Sequence, residues 1–225
     1  MNIFLRILIG LFLTLTVLSC SSFRSSLSNN VAPGYGQAFE AIRGALFGFE
    51  NTLVTRDLVD TIPYASMMVK IGKGAPALMI LESINKNETN WISADNVYFR
   101  LNKGKIIQTS GLLNNLVRVE SPHYSSDLTR RIEGEYYFYY SYDKPKADNI
   151  RLTVSREIKQ LENVNILGKE MKLLLVEEEL INRYLGWKIK NKYWIDEQGF
   201  AWKSIQTISP KIPQIEISIT KKPSI

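Results

Sequence analysis

From Pro63 onward, apolar and polar side chains alternate with a period of two. Ala65, Met67, Val69 and Ile71 fall on one side of an extended chain and Ser66, Met68 and Lys70 on the other, which predicts a strand with one buried face. Gly72-Lys73-Gly74 turns the chain into a second strand over 77–84, apolar on both sides except at Glu82 and Ser83. Val97, Phe99 and Leu101 alternate with Tyr98 and Arg100, and Asn102-Lys103-Gly104 leads into 105–109, a second hairpin. The pattern runs on through Val117 and Val119, an aromatic stretch over 135–143, and Ile150, Leu152 and Val154. It ends with 171–177, 190–196, 200–208 and 215–219, with Asp196-Glu197-Gln198-Gly199 as one of the turns. About ten short strands with no helix long enough for a parallel crossover predict antiparallel pairing. That many strands curl rather than lie flat. The expected fold class is mainly β: one strongly curved antiparallel sheet, a half-barrel or sandwich, with an N-terminal amphipathic helix.

That helix is predicted from Gln37, where Phe39, Ile42, Leu46 and Phe49 recur at three- and four-residue spacing, although Gly44 and Gly48 weaken it. Thr55 is placed to cap a short turn through Val59, and Pro63 pushes Ile62 into extended geometry. Residues 21–36, rich in Ser, Asn, Gly and Pro, have the composition of a flexible spacer. Before them, Ile7 to Leu18 is almost wholly apolar behind Arg6. This run is shorter than the roughly 20 residues of a membrane span and ends at the small residue Ser19.

Val17-Leu18-Ser19-Cys20 resembles a lipobox, in which a signal peptidase cuts before an acylated cysteine, though Val17 and Leu18 depart from its usual form. An ordinary secretory signal is the alternative. The expected organisation is a lipoprotein signal over 1–19, a lipidated Cys20 and tether over 20–36, and one β-rich periplasmic domain over 37–225. Ser21, rather than an aspartate, favours the outer membrane.

Cys20 is the only cysteine, so no disulfide can form and the domain must fold on its apolar core alone. Removing the signal and its Arg6 leaves 27 basic against 22 acidic residues, a formal +5. The excess lies at the C-terminus, where Arg183 to Ile225 holds eight basic and three acidic residues. Such a surface suits an anionic polysaccharide, lipid phosphates or an acidic partner, with a solvated face as the plainer reading. Nucleic acid is not expected outside the cytoplasm.

Catalytic constellations fail on inventory. His123 is the only histidine, so a catalytic triad has no G-x-S-x-G support and the usual zinc ligand sets cannot be assembled. Glu177-Glu178-Glu179 reads as a solvated acidic run, and a glycosidase pair would need two carboxylates to converge. Neither cofactor nor metal is expected. The aromatic strand is more suggestive. Tyr136, Phe138, Tyr140 and Tyr142 share one face and are read as core, leaving Tyr137 and Tyr139 as a candidate stacking platform for sugars. With Trp187, Lys188, Lys190 and Lys192 they form the candidate ligand or partner surface. Trp91 and Trp202 are expected in the core.

Four stretches resemble the YjbF/GfcB lipoproteins of group 4 capsule and exopolysaccharide production. They are Ile62-Pro63-Tyr64-Ala65-Ser66 with Gly72 and Gly74; Trp91-Ile92-Ser93-Ala94-Asp95; Gly104-Lys105-Ile106-Ile107 with Gly111-Leu112; and Tyr193-Trp194-Ile195-Asp196 with Gly199 and Lys203-Ser204-Ile205-Gln206. Their order matches over most of residues 45–220, whereas 124–189 holds no matching motif. The resemblance implies a β-rich periplasmic lipoprotein encoded among polysaccharide export genes, without an established catalytic residue set. The expected function is that of a non-enzymatic accessory held on the membrane by a covalent lipid, binding an anionic polysaccharide or an envelope polysaccharide-export protein. The alternatives are a lipid or lipoprotein carrier, which needs a large apolar cavity, and a hydrolase, which needs converging carboxylates.

Overall fold

The computed structural model describes residues 54–121, 127–130 and 136–223. The signal, Cys20, the spacer, the Gln37 helix and His123 lie outside the described residues. Thr55 caps the helix α1 (Arg56–Thr61), its side chain accepting from the Leu58 amide. Arg56 then ties α1 to the sheet, donating to the carbonyls of Ile166, Leu167 and Thr220 at 2.9, 3.3 and 3.1 Å.

The strands are β1 (Ser66–Ile71), β2 (Ala77–Asn85), β3 (Glu88–Ser93), β4 (Tyr98–Asn102), β5 (Lys105–Ser110) and β6 (Leu116–Glu120), followed by β7 (Tyr136–Asp143), β8 (Lys146–Ile166), β9 (Lys169–Asn182), β10 (Trp187–Ile195), β11 (Ala201–Gln206) and β12 (Ile215–Lys221). All form one sheet in the order β5-β4-β3-β2-β1-β12-β11-β10-β9-β8-β7-β6, antiparallel throughout. The first and last strands pair with each other. β5 and β6 meet at a seam without a ladder, bridged by the Leu116 amide on Thr109 Oγ1 at 2.9 Å.

The domain is therefore a nearly closed twelve-stranded barrel among the described residues, not a half-barrel or sandwich of about ten strands. The missed strand is β3. Asn85-Lys86-Asn87 reads as a polar loop, but Lys86 adopts φ 54 and makes the turn tight, so Glu88 pairs with Asn85 and Thr89 with Ile84. β8 and β9 are also much longer than predicted. A bulge between Ile158 and Leu161 breaks the alternation of β8, and Leu167 and Gly168, both at positive φ, close the hairpin in two residues.

A barrel of this size would leave a wide lumen if it were round, but opposite walls touch. Gly104, at the start of β5, lies against Ala201 of β11, with β4, β3, β2, β1 and β12 between them in the sheet. The Ile106 amide donates to Gln206 Oε1 at 2.9 Å, and Gln206 Nε2 donates to the Gly104 carbonyl at 2.8 Å. Trp91, Phe99, Phe138, Tyr140 and Tyr193 fill the rest of the interior. Trp202 is only partly buried, its indole donating to Asp196 at 2.9 Å.

Because neighbouring strands alternate in direction, successive connections alternate between two ends of the barrel. The β1–β2, β3–β4, β5–β6, β7–β8, β9–β10 and β11–β12 turns lie at one end. The chain enters through α1 at the other.

Candidate functional site

Adjacent residues of a strand point to opposite faces, and this separates the predicted site residues. In β10, Trp187, Ile189, Asn191, Tyr193 and Ile195 face the interior, while Lys188, Lys190 and Lys192 face outward. In β7, Phe138, Tyr140 and Tyr142 enter the core, and Tyr137 and Tyr139 stand on the outer face, half-buried. Register joins the outward groups. Tyr137 pairs with Thr153, Thr153 with Ile181, and Ile181 with Lys188, a single row across four strands. Five of the six residues thus share one surface, and Trp187 does not belong to it.

That outer surface is internally compensated. Lys188 pairs with Glu179 at 2.9 Å, and Lys190 and Lys192 approach Glu177 at 3.0 and 3.4 Å. Partial burial pushes the Glu177 carboxyl upward, but hydrogen bonds from Lys190 and Lys192 outweigh it and hold the group below its ordinary range. The Arg151 guanidinium lies 3.7 Å from the centre of the Tyr137 ring, covering one face of it.

The acidic run is not solvated as expected. Glu178 points inward from β9 and is fully buried, hydrogen-bonded to Lys105 of β5 and to Arg156 of β8, whose Nη2 lies 2.7 Å from Oε1. Arg156 Nη1 also donates to the carbonyls of Asp127 and Arg130, holding that loop over the interior. A carboxylate in hydrocarbon surroundings survives only with such partners, a requirement invisible in the sequence. Glu177 and Glu178 consequently lie on opposite faces, so this pair cannot converge on a glycosidic bond. Asp196 is committed to its turn, accepting from the amides of Gln198 and Phe200 at 3.0 and 2.9 Å. Among the described residues no group of three or more His, Cys, Asp or Glu could hold a metal ion.

The feature sequence reasoning missed is a cavity of about 370 Å³ at the barrel end opposite α1, walled by Tyr142, Pro145, Ala147, Ile150, Trp187 and Pro210. Sequence placed Trp187 near the lysines, whereas its inward direction puts it in this cavity. The hydroxyl and amide side chains at the cavity are already hydrogen-bonded. The Tyr142 hydroxyl donates to the Ile208 carbonyl at 2.5 Å, Asn114 Nδ2 donates to the Lys144 carbonyl at 2.6 Å, and Ser209 Oγ donates to Asn114.

A sequence model described as group 4 capsule polysaccharide lipoprotein gfcB, YjbF matches residues 39–219. The chain belongs to the YjbF/GfcB family. Two Escherichia coli K12 relatives of this family align with it. One, the uncharacterized lipoprotein GfcB, is 22% identical over 190 residues, covering 81% of this chain and 87% of the relative. The other, the uncharacterized lipoprotein YjbF, is 19% identical over 182 residues, covering 79% and 84%. The fold is shared with the crystal structure of the hypothetical lipoprotein YmcC from E. coli, at a TM-score of 0.64 and 21% identity, over 82% of this chain and 95% of that one. The family assignment agrees with the resemblance drawn from the four sequence stretches, and it associates this YjbF/GfcB member with lipoproteins of the capsule.

Proposed function

We propose that the protein is a non-enzymatic accessory of capsule or exopolysaccharide production, anchored to the outer membrane through acylated Cys20 and acting in the periplasm by binding polymer or an export component. The family match over residues 39–219 is the observation that carries this reading. The geometry is compatible with it. The outer face bearing Tyr137, Tyr139, Lys188, Lys190 and Lys192 offers aromatic and cationic groups to an extended partner, and the lysines reach solvent at its border. Lipoprotein or diacyl-lipid carriage is disfavoured, because the interior is crossed by the Gly104–Ala201 contact and the Lys105–Glu178–Arg156 cluster.

The test is surface and secreted polysaccharide from cells lacking the gene, complemented by the wild type or by Cys20→Ala. Loss of polymer restored by the wild type and not by Cys20→Ala is the expected result. Unchanged polymer in the deletion strain would overturn the proposal.

A further inference from the structure

The basic C-terminal segment looks like a general positive surface in the sequence, but folding neutralises most of it. Lys188, Lys190, Lys192, Lys203 and Lys222 each have a carboxylate within 4.0 Å, and Lys221 donates to the Ile62 carbonyl at 2.7 Å. Lys221 has no carboxylate partner either, and the remaining two of the eight basic residues, Arg183 and Lys211, have neither a carboxylate nor an acceptor for their side chains among the described residues. Both lie at the barrel end that holds the cavity. Lys211 is part of its wall, and Arg183 opens the turn that continues to Leu185 and Trp187.

The four tryptophans give a second, independent indication. The indole N–H groups of Trp91, Trp194 and Trp202 donate to Thr89, Glu162 and Asp196 at 2.8, 2.7 and 2.9 Å. Trp187 is 9% exposed and lines the cavity, yet its indole N–H has no acceptor among the described residues. That N–H opens to solvent through the cavity, so a ligand acceptor there would take the place of water on it. At the rim of the cavity Leu185 is 61% exposed, and beside it Tyr184 is fully exposed, an apolar lip where a turn is ordinarily polar.

We infer that this cavity binds a single-chain anionic amphiphile. Its aliphatic chain lies against Ala147, Ile150 and Trp187, and its carboxylate or phosphate head accepts from the Trp187 indole and faces Lys211. The volume of about 370 Å³ lies near the lower end of the roughly 300–1,000 Å³ typical of ligand pockets, suited to one chain and not to a diacyl lipid. A sugar ring would demand several polar contacts, and the cavity's hydroxyl and amide side chains are already hydrogen-bonded. This site is independent of the proposed part in polysaccharide production.

The test is calorimetric titration of the mature chain carrying Cys20→Ser, which has no acyl chains of its own, with decanoate, 1-decanol and acetate. Saturable 1:1 binding of decanoate is expected, with weaker binding of decanol and none of acetate. Lys211→Glu and Trp187→Phe should each weaken decanoate by about tenfold, the order expected for losing a charge-assisted hydrogen bond. Ala147→Phe, which fills the cavity, should abolish it with an unchanged circular dichroism spectrum. Absence of saturable decanoate binding would overturn the inference. So would full affinity in the folded Ala147→Phe variant, and equal affinity for decanol would overturn the anionic assignment. Should Ala147→Phe fail to fold, unchanged affinity in the surface variant Lys211→Glu decides against it.

Discussion

Lys105 of β5 and Glu178 of β9 form a hydrogen-bonded ion pair across the barrel interior, with side chains 4% and 0% exposed. Arg156 shares the same carboxylate. A single carboxylate therefore balances two buried cations and links three strands around the seam. Glu178→Gln should strand both cations and destabilise the fold by about 3–5 kcal/mol, measured by urea denaturation. Lys105→Met should cost clearly less, because Glu178 keeps Arg156 and the buried ammonium no longer pays desolvation. Equal losses in the two variants would contradict this assignment.

The same cluster predicts a two-sided dependence on pH. Burial brings the Lys105 ammonium down from 10.5 to about 8, with attraction to Glu178 opposing the shift. Between these values the unfolded chain holds a proton that the folded one has released, so stability rises with pH. Burial pushes the hydroxyls of Tyr140, Tyr142 and Tyr193 well above their ordinary value of 10.0. Above that pH the unfolded chain loses protons that the folded one keeps, and stability falls. Thermal midpoints should rise gently from pH 8 toward 10 and drop steeply beyond. Lys105→Met should remove the rise and leave the drop.

Gly104 carries φ +85 and faces Ala201, so a Cβ there would collide as well as strain the backbone. Gly104→Ala should cost at least about 2 kcal/mol, and Ala201→Gly in the same chain should recover the collision part only. Gly168, at φ +83 with nothing within 4 Å of an added Cβ, is the control. Its alanine variant should lose about 1 kcal/mol from strain alone. Urea midpoints of the three variants check this.

Replacing Lys188, Lys190 and Lys192 together by Gln removes the cations facing Glu177 and Glu179. The lysines are exposed but Glu177 is largely buried and would keep only Lys159, at 3.9 Å, so the thermal midpoint should fall modestly, by the equivalent of about 1–2 kcal/mol. Polysaccharide output should fall if this face meets an anionic partner. Unchanged output with normal protein abundance would rule that contact out.

Local pattern was enough to determine the β class, most strand positions, the turns at Gly72, Gly104 and Gly199, the Thr55 cap and the inward face of β7. Each follows from period two or from the backbone freedom of a few residues, properties carried by neighbours along the chain. Closure of the barrel, the flattening that puts Gly104 on Ala201 and the burial of Glu178 were decided only by tertiary structure. They depend on residues from distant strands meeting across the interior, and a run of three glutamates reads the same whether its middle member is solvated or clamped between Lys105 and Arg156. Charge shows the division most clearly. The C-terminal excess was legible as a sum, but the fold pairs most of those cations and leaves Arg183 and Lys211 beside the Trp187 cavity, because ion pairing is set by register between strands and not by composition.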